Sequence, residues 1–157
     1  MTLLKNVRIY VCPLPRCSLE WQQEVCREAV NNLALPNVTY RQGKLGPGYD
    51  DRASWLRALR SDEVAIVARL DVLARKRDVA GRPVVDLTLT IAEASSRAHH
   101  LLEASTGMTS RDGERWQQRV KAVVSNVAQG RALTRKRARA MARKSRERRP
   151  PGVVATW

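Results

Sequence analysis

Apolar and polar positions alternate through Val7-Arg8-Ile9-Tyr10-Val11, a period of two in β-forming residues that predicts a strand. Pro13 and Pro15 stop it by fixing φ and removing donors. Ser18 is placed to cap a helix that opens with Glu20 and Trp21 and runs to about Leu33. Pro36 and Asn37 break the chain before a short strand, Val38-Thr39-Tyr40, and Gly43, Gly46, Pro47 and Gly48 mark a flexible loop. Asp50-Asp51 can cap a short helix with Trp55, Leu56 and Leu59 on one face. Glu63-Val64-Ala65-Ile66-Val67-Ala68 is nearly all apolar, the pattern of a parallel strand covered on both sides. Leu70 to Arg77 reads as a turn or short helix. Gly81 and Pro83 precede a helix from about Val84 to Ala98, and His99 to Ala104 reads as a fourth strand.

A longer helical period follows from Asp112 to Gln129, with Trp116, Val120, Val123, Val124 and Val127 spaced for one buried face. Gly130 is a candidate end or kink. Thr134 can cap a further helix to about Ser145, where Ala138, Met141 and Ala142 form a narrow apolar stripe inside a basic shell. Pro150-Pro151-Gly152 ends it before a short apolar tail. Alternating strands and helices predict an α/β domain, a mostly parallel sheet with helices on both faces, followed by a long helix and a basic C-terminal helix. The expected divisions are an α/β domain at 1–110, the long helix and possible dimer element at 111–130, the basic segment at 131–149 and the tail at 150–157.

Charge sharpens this picture. The 157 residues carry 29 Lys and Arg against 15 Asp and Glu, for a net +14. Residues 131–149 hold ten of the basic residues and a single acid, Glu147, so the excess is concentrated there. A polyanion is the natural partner, nucleic acid above all. Arg131, Arg135, Arg139 and Arg143 recur every four residues and would align on one helical face, which Lys136, Arg137, Lys144 and Arg146 widen. The longest strictly apolar run, Val64 to Ala68, is too short to span a bilayer. Lys5, Asn6 and Arg8 interrupt any export signal, so a cytoplasmic or nucleoid location is expected.

Smaller features carry bland readings. Cys12, Cys17 and Cys26, an odd number, are expected to be reduced thiols packed in or near the core. His99, His100 and Glu103 could suggest a metal, but adjacent strand residues point to opposite faces, so no metal site and no cofactor is expected. Gly43, Gly46 and Gly48 lack the Lys-Ser/Thr ending of a phosphate loop. Trp21, Trp55 and Trp116 sit at core spacing. Val153, Val154 and Trp157 of the tail are expected to dock on a protein surface.

In order, Arg8-Ile9-Tyr10-Val11, Asp51-Arg52, Leu70-Asp71-Val72-Leu73-Ala74-Arg75 and Ser125-Asn126-Val127-Ala128-Gln129 resemble the catalytic domain of the serine recombinases, the resolvase and invertase family. That family opens on a strand ending Tyr-x-Arg-Val-Ser, whose serine attacks DNA phosphate. An apolar strand then runs into Leu-Asp-Arg-Leu-x-Arg, and a long helix carries dimer contacts and reaches DNA. The resemblance covers roughly residues 5–137 and implies a resolvase-like fold, a nucleic-acid partner that is DNA more than RNA, and a homodimer or protein partner through the long helix or the tail. Counted from Tyr10, the family's arginine falls on Cys12, its nucleophile on Leu14 and the second residue of its Asp-Arg pair on Val72. Arg52, Asp71 and Arg75 remain as vestigial positions.

Leucine cannot attack phosphorus, and the transition state needs guanidinium groups that are missing at these positions. The expectation is therefore a protein that is not an enzyme, with no catalytic residue. It would be an inactive, recombinase-like DNA-binding factor with a regulatory or accessory role in a phage or mobile element. Two alternatives stay open: a structural or protein-interaction component using the fold as scaffold, and an active recombinase with a displaced nucleophile.

Overall fold

The computed structural model describes residues 4–14, 17–43, 51–74 and 83–147. Five strands form one sheet in the order β2-β1-β3-β4-β5. Strand β1 (Asn6–Val11) lies between β2 (Asn37–Gln42) and β3 (Glu63–Val67), parallel to both. Strand β4 (His100–Glu103) continues the parallel sheet beside β3. The two-residue strand β5 (Met108–Thr109) returns antiparallel to β4. The predicted central pair, β1 and β3, is thus adjacent and parallel.

Period-two alternation in β1 sorts side chains to two cores. Val7, Ile9 and Val11 join Val64, Ile66 and Ala68 beneath helix α1 (Leu19–Leu33), which contributes Cys26. Tyr10 and Cys12 face the other way with Ala65 and Val67, into the larger core. Helices α2 (Asp51–Ala58), α3 (Pro83–Arg97) and α4 (Glu114–Glu147) close that side, together with a 3-10 turn at Leu70–Leu73. Ser18 caps α1 as its position predicts, its Oγ accepting from the Trp21 N–H at 3.2 Å. Ala34 ends α1 in the left-handed region at φ 53° and returns its N–H to Val30 O.

Several expectations need correction. Helix α4 does not stop at Gly130: it runs unbroken for 34 residues through Thr134 to Glu147, roughly 51 Å. The strong helix formers on either side carry the ladder past one glycine, whose cost is about 1 kcal/mol. Trp21 is 38% exposed rather than packed, because it lies off the buried face that Cys26 and Gln22 define. β5 is too short to carry a period. The glycine loop at 44–50, Arg75 and the tail with Val153, Val154 and Trp157 lie outside the described residues.

Candidate functional site

In an open sheet of parallel strands, ligands bind beyond the carboxyl ends where the strand order reverses. Here that point falls between β1 and β3, because the chain leaves β1 toward β2 on one side and later returns to β3 on the other. The segments after these strands meet there. Leu14 and Cys17 exchange backbone hydrogen bonds at 3.2 and 3.1 Å, folding the β1–α1 connection back on itself. Buried Gln22 clamps this connection, accepting from Cys12 N at 3.0 Å while its amide donates to Cys12 O (2.7 Å) and Cys17 O (2.9 Å). Ser18 follows immediately, exposed at the helix N-terminus.

From β3, Arg69 Nη2 bonds Asp71 Oδ2 at 2.6 Å, and Asp71 Oδ1 is buried without a partner among the described residues. Burial pushes the Cys17 thiol up; Arg69 lowers it, Asp71 raises it and the Gln22 hydrogen bond lowers it, leaving a neutral thiol. From β4, Glu103 is fully buried and held by Leu70 N at 2.8 Å, Thr106 Oγ1 at 2.7 Å and Arg119 of α4 at 2.7 and 3.1 Å. The Glu103 hydrogen bonds raise the Arg119 guanidinium; burial opposes this, and the charges of Glu103 and Asp71 add to it. A chain of acids and guanidiniums therefore runs along the strand ends.

Of the positions singled out in sequence, Asp71 joins this crevice. Arg52 is buried and donates from Nη1 to Leu73 O at 2.7 Å, bracing α2 against the 3-10 turn. Lys136, Arg137, Arg139, Arg143, Lys144 and Arg146 are all exposed on the distal half of α4, in which Arg131 and Arg135 are also helical. The three cysteines are free and buried, and burial, then Cys17, lifts Cys26 to about 12. His99 and His100 overturn the opposite-faces argument. His99 precedes β4, so the rings turn together and their Nδ1 atoms lie 2.8 Å apart. Among the described residues no three metal-ligating side chains cluster, and no helix is long and apolar enough to cross a membrane. Arg69, Gln22 and Arg119 escape the sequence reading, and Glu103 enters it only beside the two histidines. Glu103 and Arg119 meet across 16 residues from different elements, which no spacing motif reveals.

No protein-family profile matches the chain, and none of the curated proteins matches it by sequence. Solved structures do. A resolvase family site-specific recombinase from Streptococcus pneumoniae superposes with TM-score 0.55 at 15% identity, covering 88% of this chain and 99% of that one. The N-terminal catalytic domain of TP901-1 integrase gives 0.51 at 12% identity, covering 82% and 98%. The chain has the resolvase-like serine recombinase fold. One neighbour is a site-specific recombinase and the other the catalytic domain of an integrase, and this overturns the expectation that this resolvase-fold chain is not an enzyme. The physical weakness lay in counting linearly from Tyr10. The connection after β1 folds back at Leu14 and Cys17, so position in sequence does not determine which hydroxyl reaches the crevice.

Proposed function

We propose that this resolvase-fold protein binds duplex DNA backbone through the distal half of α4. The observation that supports this is six exposed Lys and Arg side chains, Lys136 to Arg146, on a helix that has left the core. Arg131 and Arg135 extend the same four-residue spacing. Arginines so placed bridge phosphates, and the one acid, Glu147, offers little neutralisation. Met141, 72% exposed in the same helix, supports pairing with a second copy. The nucleoid is the natural location, and an accessory or regulatory duty on the DNA of a phage or mobile element requires binding alone. With about five phosphates engaged, log K falls against log salt with a slope of roughly −4 to −5. Changing Arg135, Arg139 and Arg143 to Ala weakens binding and flattens that slope. Equal affinity and slope would remove α4 from the DNA interface and leave a protein-scaffold role.

A second reading, strand transfer on the bound DNA, is favoured by Ser18. Its exposed hydroxyl stands at a helix N-terminus beside the crevice that holds Arg69 and Asp71. Attack by Oγ on a backbone phosphorus forms a seryl phosphodiester and releases a deoxyribose hydroxyl, which takes up the proton. The expected result is a denaturation-resistant protein–DNA adduct that Ser18→Ala abolishes. An adduct that persists in Ser18→Ala excludes this serine, and absence of any adduct removes the reading.

A further inference from the structure

A pocket of about 170 Å³ opens between β2 and α2, at the sheet edge away from the α4 contacts. It is lined by Arg8, Thr39, Arg41, Ser54 and Trp55 among others. The parallel register explains why these residues converge. Arg8 is paired with Thr39 and Tyr10 with Arg41, so these side chains share the face that α2 covers.

Its chemistry is that of an anion site. Arg8 gives its Nε to the buried Glu63 carboxylate, which neutralises that acid. The exposed Arg41 side chain has no hydrogen bond or ion pair among the described residues and brings a positive charge to the lining. Thr39 and Ser54 add hydroxyl donors. Trp55, 3% exposed and stacked at a tilt on Tyr10 with ring centroids 5.4 Å apart, gives the pocket a rigid apolar wall. The volume equals that of about six waters, enough for a phosphate and a short carbon fragment but not a duplex. The edge strand β2 also lies roughly 19 Å across the sheet from β5, against which α4 packs.

We infer that this pocket binds a phosphate monoester, with a planar guanidinium fork from Arg41 and hydroxyl donors from Thr39 and Ser54 gripping its oxygens. A small sugar phosphate is the preferred form; the 5′-phosphate of a DNA end offers the same group. This site is independent of the α4 interface. The test is calorimetric titration of the full chain with inorganic phosphate, ribose 5-phosphate, and short duplexes carrying a 5′-phosphate or a 5′-hydroxyl. Saturable binding of ribose 5-phosphate is expected, tighter at pH 7.5 than at pH 5.5, because the second phosphate ionisation lies near 6. Arg41→Ala weakens it roughly 10- to 100-fold, and Arg41→Lys restores part of the loss. The exposed position of Arg41 leaves the fold intact, which the thermal midpoint checks. A preference for 5′-phosphorylated over 5′-hydroxyl duplex that is lost in Arg41→Ala assigns the pocket to DNA ends. The Arg135, Arg139, Arg143 triple-Ala protein keeps ribose 5-phosphate binding. Absence of saturation by every probe up to about 10 mM, or equal affinity in Arg41→Ala, overturns the site, as would loss of the small ester in the α4 variant.

Discussion

Glu103 shows how one buried charge can tie three elements together. Its carboxylate is fully buried and accepts from Leu70 N, Thr106 Oγ1 and Arg119. Removing the guanidinium leaves the acid in a dry site with only neutral donors. Arg119→Ala is therefore expected to cost about 3 kcal/mol, the order seen when one partner of a buried pair is deleted. For a chain of this size that is roughly a 6–12 °C drop in melting temperature, measurable by calorimetry. A change below 1 °C would show that Leu70 N and Thr106 suffice. His100 gives a separate residue-scale test. Burial lowers its imidazole below the ordinary 6.5, His99 and Arg111 lower it further, and Asp112 opposes them. The unfolded chain then binds a proton that the folded chain refuses, so stability falls as pH drops from about 7 through 6.5 toward the lowered folded value. The His99 pair sharpens this, because one Nδ1 must accept for the 2.8 Å contact to hold. Urea midpoints between pH 7.5 and 5.5 should decline less for His100→Gln than for the parent protein.

At the scale of elements, α4 is the least ordinary feature and Gly130 its weakest link. An added Cβ at Gly130 would meet nothing within 4 Å, and its backbone is already helical. Gly130→Ala should therefore stabilise the helix by about 0.5–1 kcal/mol, seen as a gain in far-ultraviolet helicity and melting temperature. A loss would mean that another surface needs the missing side chain. Which elements were legible in sequence follows from the length of their patterns. β1 declares itself by its period of two, β3 by a continuous apolar run, and α1 by Ser18 and its capping chemistry. β5 has two residues and no period. Gly130 does not end α4, because its local penalty is small beside the helix formers around it. The candidate crevice was less legible still. Asp71 stood out through its neighbours, but Arg69 only pairs with it after the 3-10 turn forms. Gln22 clamps Cys12 and Cys17 only once β1 and α1 lie side by side.

For the whole molecule, α4 divides the chain by environment rather than by any break in the backbone. Its first half belongs to the core: Trp116 and Val123 are buried, and Val120, Val124 and Val127 pack against the same cluster. From 136 to 147 every residue is exposed. Among the described side chains of α4, Val127 is the last to pack on the core, whereas positive charge accumulates after Gly130; hydrophobic burial is the main stabilising term. Stability and DNA affinity should then separate along one helix. A chain ended at residue 130 is expected to keep the sheet and both cores, with a melting temperature within about 4 °C of the full chain, since roughly 1 kcal/mol of fraying is at stake. On the proposed α4 interface, its duplex affinity should fall by orders of magnitude at low salt, together with most of the salt slope, because the basic side chains proposed to meet phosphates are gone. Calorimetry and a salt-titrated binding assay on the same two proteins decide the matter. If the shortened chain unfolds, the distal helix contributes to the fold through contacts beyond those with its own core, and a second copy becomes the first surface to examine. If it stays folded and binds DNA with an unchanged slope, the phosphates are gripped elsewhere, and the guanidiniums of the strand-end crevice, Arg69 and Arg119, are the next to change.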